Sequence, residues 1–223
     1  MKNIKFACFV PLLASATLLS GCIIHVDGQG RNGDVSGVFG SIELDEGSQA
    51  NNLSTVNGGI EIDSRSKVRH VSTVNGGIEL GDEVSLASAE TVNGGIEAGT
   101  QLRVEEDLST VNGEVLLGKG ADVGGSISTV NGDISLDDSR VGRNLETQTG
   151  DIRLSGNTLV EGDIVFTARR DNSFFKWGSD ETPELHITAS ASVGGQIILQ
   201  RPVNLHFENA ALHDKVVRRF SRE

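Results

Sequence analysis

The sequence predicts an all-β fold, a single-domain parallel β-helix (β-solenoid) with coils of 18–19 residues. First, Thr-Val-Asn-Gly recurs from Thr55, Thr73, Thr91, Thr110 and Thr129, at spacings of 18, 18, 19 and 19 residues. Second, aliphatics keep fixed offsets from each threonine. Leu53, Val71, Ala89, Leu108, Ile127 and Leu145 fall two before the threonine position, and Ile60, Ile78, Ile96, Val115, Ile134 and Ile152 fall five after it. Third, the unit has no apolar run at helical spacing, but Ile62, Leu80, Leu117, Leu136 and Leu154 keep period-2 alternation with the preceding aliphatic. So short a strand-only unit cannot bury its own apolar face, so copies must stack. Eight or nine coils at the ~4.8 Å strand spacing predict a rod about 40 Å long.

The segments follow in order. Residues 1–21 read as an export leader, with Lys2 and Lys5 ahead of the apolar stretch Phe6 to Leu19. Leu19-Ser20-Gly21-Cys22 resembles the lipobox of bacterial lipoproteins. The resemblance implies cleavage between Gly21 and Cys22 and lipid on the Cys22 thiol. The apolar run is shorter than the ~20 residues of a membrane-spanning helix. Ile23 and Ile24 follow the cysteine with no Asp at the second position, which by resemblance to sorted lipoproteins predicts the outer membrane facing the periplasm, the cell surface being the alternative. Residues 22–34, polar and glycine-containing, predict a lipidated tether, and 35–168 the regular coils.

Beyond Phe166 the motif departs. Residues 169–184 predict an aromatic insertion loop, and Phe174, Phe175 and Trp177 in it are either a cover for the rod's end or an interaction loop. Val193-Gly194-Gly195-Gln196-Ile197 echoes Val123-Gly124-Gly125-Ser126-Ile127, so 185–223 predicts irregular closing coils and a C-terminal cap.

Composition narrows the function. Without Lys2 and Lys5 the chain has 17 basic against 31 acidic residues, a formal charge of −14, which argues against a nucleic-acid partner. Cys8 leaves with the leader and lipid consumes Cys22, so packing and hydrogen bonds alone must hold the mature chain. The repeated Ser/Thr-Val-Asn-Gly-x-Ile-x-Leu, over about residues 35 to 165, resembles an adhesin-type β-strand-repeat family of bacterial envelope proteins whose function is unknown. The resemblance implies a parallel β-helix and a loose adhesin role, and brings no catalytic residue or cofactor.

Stacking predicts several outward columns. Asn57, Asn75, Asn93, Asn112 and Asn131 should form an amide ladder at one corner, where Asn-Gly also predicts left-handed turn geometry. Glu43, Glu61, Glu79 and Glu97 should align, with Glu114, Asp133 and Asp151 two positions earlier. Such carboxylates could bind calcium or serve glycoside hydrolysis, but repeated copies read more simply as a solvated acidic face. His186 and His206 each follow a Leu about one coil apart, without a third metal ligand in view. Gly28-x-Gly30-x-x-Gly33 lies in the tether with no helix after it, so it is no dinucleotide site. The sequence therefore names no catalytic residue, cofactor or metal site. It predicts a non-enzymatic, lipid-anchored structural or interaction module with an envelope protein or glycan as partner. The alternatives are a polysaccharide-binding or polysaccharide-cleaving β-helix and a self-assembling scaffold.

Overall fold

The structure, a computed structural model, describes residues 23–26, 33–168 and 182–220. The alternation of aliphatic and polar residues forms short strands, and equivalent strands of successive coils pair in parallel. Three parallel sheets result. Sheet A has ten strands from Ile24–Val26 to Asn204–Phe207, and sheet B has ten from Val35–Phe39 to Val216–Arg218. Sheet C has six two-residue strands from Ser85–Leu86 to Ser192–Val193. Isolated bridges between Gln49, Lys67 and Ser85 carry it further toward the N-terminus. Registers match the sequence copies residue for residue, as in Ile60↔Ile78, Thr73↔Thr91 and Val104↔Val123. The fold is thus the predicted all-β solenoid.

One continuous core fills the rod. The two aliphatic columns predicted from the repeat are buried on sheets B and A, and Val104, Val123 and Val141 are buried on sheet C. Full burial of each such side chain is worth roughly 1.5–3 kcal/mol. The repeat threonines also point inward, and their hydroxyls donate to the preceding coil, Thr73 to Gly58 O (2.9 Å) and Thr110 to Gly94 O (2.8 Å). A buried hydroxyl is tolerated because this bond satisfies it. Phe166 takes the threonine position one coil after Thr147 and is fully buried, so it belongs to the core rather than to the insertion's aromatics.

Four expectations need correction. The solenoid has about ten turns, not eight or nine, because strands form at both ends. Ile24 pairs with Ile42 and Val26 with Leu44, so the segment read as a tether contributes the first strand of sheet A. The predicted insertion falls largely outside the described residues, but Ala168 and Thr182, the described residues on either side of it, flank the passage from sheet B to sheet A, and strands of all three sheets follow Thr182. Its last residue in the sequence reading, Glu184, instead opens strand Glu184–Ile187.

The fourth correction concerns the Asn-Gly corner, where none of the five Asn-Gly pairs has a positive φ. Positive φ occurs at this corner only at Gly40 of the first coil (111°), which follows Phe39 rather than asparagine, and otherwise at the turn after sheet A, at Gly47, Arg65, Glu83, Gln101, Gly120, Asp138 and Gly156 on successive coils. Glycine is needed at the Asn-Gly corner for closeness. A Cβ on Gly76 would lie 2.5 Å from the carbonyl carbon of Gly58 and 2.8 Å from the nitrogen of Gly59, and closer still to Gly58 O. The backbones of neighbouring coils leave no room for a side chain there.

A 3-10 helix follows the last strand of sheet A. The 3-10 helix Ala210–Lys215 is capped by the Asn209 side chain, which accepts from Ala211 N at 3.1 Å, and buries Leu212. Lys215 Nζ donates to Val193 O (2.6 Å) and Gly194 O (3.1 Å), satisfying carbonyls at the edge strand of sheet C. No helix among the described residues is long and apolar enough to cross a membrane.

Candidate functional site

Two outward surfaces carry the candidate chemistry. At the corner between sheets B and A the five asparagines form the expected ladder. Asn75, Asn93, Asn112 and Asn131 each donate Nδ2 to the Oδ1 of the asparagine one coil earlier, at 2.8–2.9 Å. Asn57 starts the ladder by donating to Val38 O (3.2 Å), and Thr149 Oγ1 ends it by donating to Asn131 Oδ1 (2.9 Å). Each interior amide both gives and receives, which fixes its orientation.

Beside the ladder runs a feature the sequence reading missed. Val56, Val74, Val92, Val111 and Val130 form an exposed apolar stripe, each 37–39% exposed. The signal was the repeat itself: strand alternation that turns threonine inward turns the next residue outward. Val38 and Phe39 head the two columns in the first coil and are more exposed still, at 59% and 74%.

The second surface is the outer face of sheet A. Register stacks His25, Glu43, Glu61, Glu79, Glu97, Leu116, Ser135, Arg153, His186 and His206 in one column. The acidic run is therefore real but occupies only the N-terminal half. His25 closes it, with Nε2 3.1 Å from Asp45 and Nδ1 3.5 Å from Glu43. In the C-terminal half Arg153 faces the column two positions earlier, 2.8 Å from Asp151 and 3.4 Å from Asp133.

The next two coils hold a convergent cluster. His186 and His206 are directly opposed across neighbouring strands, their rings stacked with centroids 4.3 Å apart and planes 11° apart. Glu184, two residues before His186 on the same strand face, lies with Oε2 2.8 Å from His186 Nε2. That hydrogen bond first, outweighing desolvation, and then the weaker attractions of His186, His206 and Arg153, hold the Glu184 carboxyl below its ordinary pKa. Among the described residues this is the one group of three or more potential metal-ligating side chains whose ligand atoms all lie within 4.8 Å of one another. Glu184 is thus a third potential ligand, which strand alternation places on the His186 face and the break in the repeat hides in the sequence.

Cys22, Gly21, Phe174, Phe175 and Trp177 lie outside the described residues. Comparison of the chain with family models, curated proteins and solved structures finds no match.

Proposed function

We propose that the chain is an envelope lipoprotein, anchored through Cys22 in the outer membrane and facing the periplasm, whose solenoid is a non-catalytic interaction module of adhesin type. One observation carries the reading. Among the described residues the three most exposed large apolar side chains, Ile23, Val38 and Phe39, all belong to the first coil. Ile24 N donates to Ser41 O at 2.8 Å, so the chain enters the rod at the corner that Phe39 leads into. An apolar rim next to the lipidated residue suits contact with the membrane interface, where each buried side chain adds roughly 1.5–3 kcal/mol. The strand pairing of Ile24–Val26 leaves almost no slack after Cys22, so the rod stands close to the bilayer. The valine stripe and asparagine ladder then rise from the membrane as a repeating surface for an extended envelope partner, a glycan or a protein.

Fractionation and a polarity-sensitive dye test the reading. Cys22→Ala should move the chain from membrane to soluble fractions. A dye on Phe39→Cys in vesicle-anchored protein should shift to the blue and be quenched by lipid-borne nitroxide, while the same dye on Val130→Cys, five coils away, should stay wet. Membrane retention of Cys22→Ala, or equal quenching at both positions, refutes the anchoring. For the interaction module, peptidoglycan and envelope polysaccharides should be retained without new chain ends, and cleavage would favour the enzymatic alternative.

A further inference from the structure

We propose that Glu184, His186 and His206 form a binding site for a divalent transition-metal ion on the outer face of sheet A. The inference stands independently of the membrane reading. Residues at i and i+2 on one strand share a face, and the in-register neighbour on the next strand lies about 4.8 Å away. Glu184, His186 and His206 occupy those three positions, so the backbone itself brings one carboxylate and two imidazoles together.

The donor set selects the ion. Two nitrogens and one carboxylate oxygen suit zinc or its neighbours in the first transition row, whereas calcium and magnesium call for oxygen alone. Ligand atoms around zinc stand about 3.3 Å apart, given bond lengths of ~2.0–2.2 Å. Here Glu184 and His186 are 2.8 Å apart and all three groups lie within 4.8 Å, so side-chain rotations of about an ångström complete the set. These side chains are half-exposed to exposed, which leaves them free to make that adjustment. The ion takes the place of the hydrogen between Glu184 Oε2 and His186 Nε2, with the imidazole proton carried on Nδ1. Solvent, or a donor from a bound partner, fills the fourth position.

One cation stands next to the cluster and has carboxylate partners of its own. Arg153, the cation in the same column, is turned toward Asp133 and Asp151.

The test is titration calorimetry of the full chain, thiols blocked, with zinc alone at pH 7.5. One ion per chain with Kd on the order of micromolar is expected. His186→Gln and His206→Gln should each weaken binding about tenfold or more, while His70→Gln, on sheet B, leaves it unchanged. Lowering the pH to about 5.5 should weaken it similarly, because protons compete for the imidazoles. Cobalt should give the visible absorption of a nitrogen-ligated, low-coordinate ion, and this decides the question on the unaltered chain even if a variant misfolds. The proposal fails if zinc does not bind by about 1 mM, if the double variant His186→Gln/His206→Gln binds as well as the parent, or if cobalt keeps its aquo spectrum.

Discussion

Gly76 and Gly77 are neighbours in sequence, and the structure assigns them opposite tolerances. A Cβ on Gly77 would meet nothing nearer than Gly95 O at 3.6 Å, an ordinary contact. A Cβ on Gly76 would run into the Gly58–Gly59 peptide, 2.5 Å from the Gly58 carbonyl carbon, and that backbone cannot rotate aside. Relief requires the two coils to part locally by about an ångström. That would stretch Gly58 N→Asn75 O (3.1 Å), Thr73 Oγ1→Gly58 O (2.9 Å) and Asn75 Nδ2→Asn57 Oδ1 (2.9 Å) out of hydrogen-bond range. At about 0.5–1.5 kcal/mol for each of three bonds, plus the overpacking strain, Gly76→Ala should cost roughly 3–5 kcal/mol. Gly77→Ala should change stability by about 1 kcal/mol or less, the tighter unfolded chain offsetting the contact. Urea unfolding followed by far-ultraviolet circular dichroism measures both, with midpoints compared because stacked coils need not unfold in two states. Equal midpoints for the two variants would refute the steric argument.

Other consequences are open to similar tests. Asn93→Ala removes two rungs, to Asn75 and from Asn112, and because the ladder is solvent-exposed the loss should be modest, about 1–2 kcal/mol by urea midpoint. Glu83→Gly relieves a left-handed side chain at φ 56° against glycine's greater unfolded-state freedom, and should leave thermal stability equal or raise it by up to about 1 kcal/mol. Asp82 and Asp138 are held below their ordinary pKa first by backbone N–H groups of the next coil, Thr100 and Asn157. A carboxylate depressed in the folded state stabilises above its unfolded pKa of about 3.9, and that contribution fades as pH falls through the lower folded value. Asp82→Asn/Asp138→Asn should therefore flatten the acid limb of the unfolding-midpoint curve below about pH 4, where the parent declines.

Most of the fold was legible because stacking converts sequence period directly into spatial register. Leu53, Ile60 and their copies showed inward columns, and Asn57 to Asn131 a ladder, before any coordinates. The misses share physical causes. Ile24-His25-Val26 lies 18 residues before Ile42-Glu43-Leu44, the same period, yet its polar, glycine-containing surroundings read as tether. The left-handed corner falls on Arg65, Glu83 and Gln101, residue types that do not advertise such geometry, because the stack imposes it. The corner glycines advertised turn freedom when their cause was coil-to-coil contact. Glu184 escaped because the insertion breaks the count: it stands 33 residues after Asp151, although it lies beside it, its N–H bonded to the Asp151 carboxylate at 2.8 Å.

The account rests on columns that climb the rod one residue per coil, and a pair of nitroxide labels measures that climb. Labels at Val38 and Val111 span four coils and at Val38 and Val130 five, so backbone separations of about 19 and 24 Å are expected from the 4.8 Å strand spacing. Electron–electron resonance distances that are narrow and differ by about one strand spacing would match the stacked columns. Broad distributions, or equal distances for the two pairs, would contradict them.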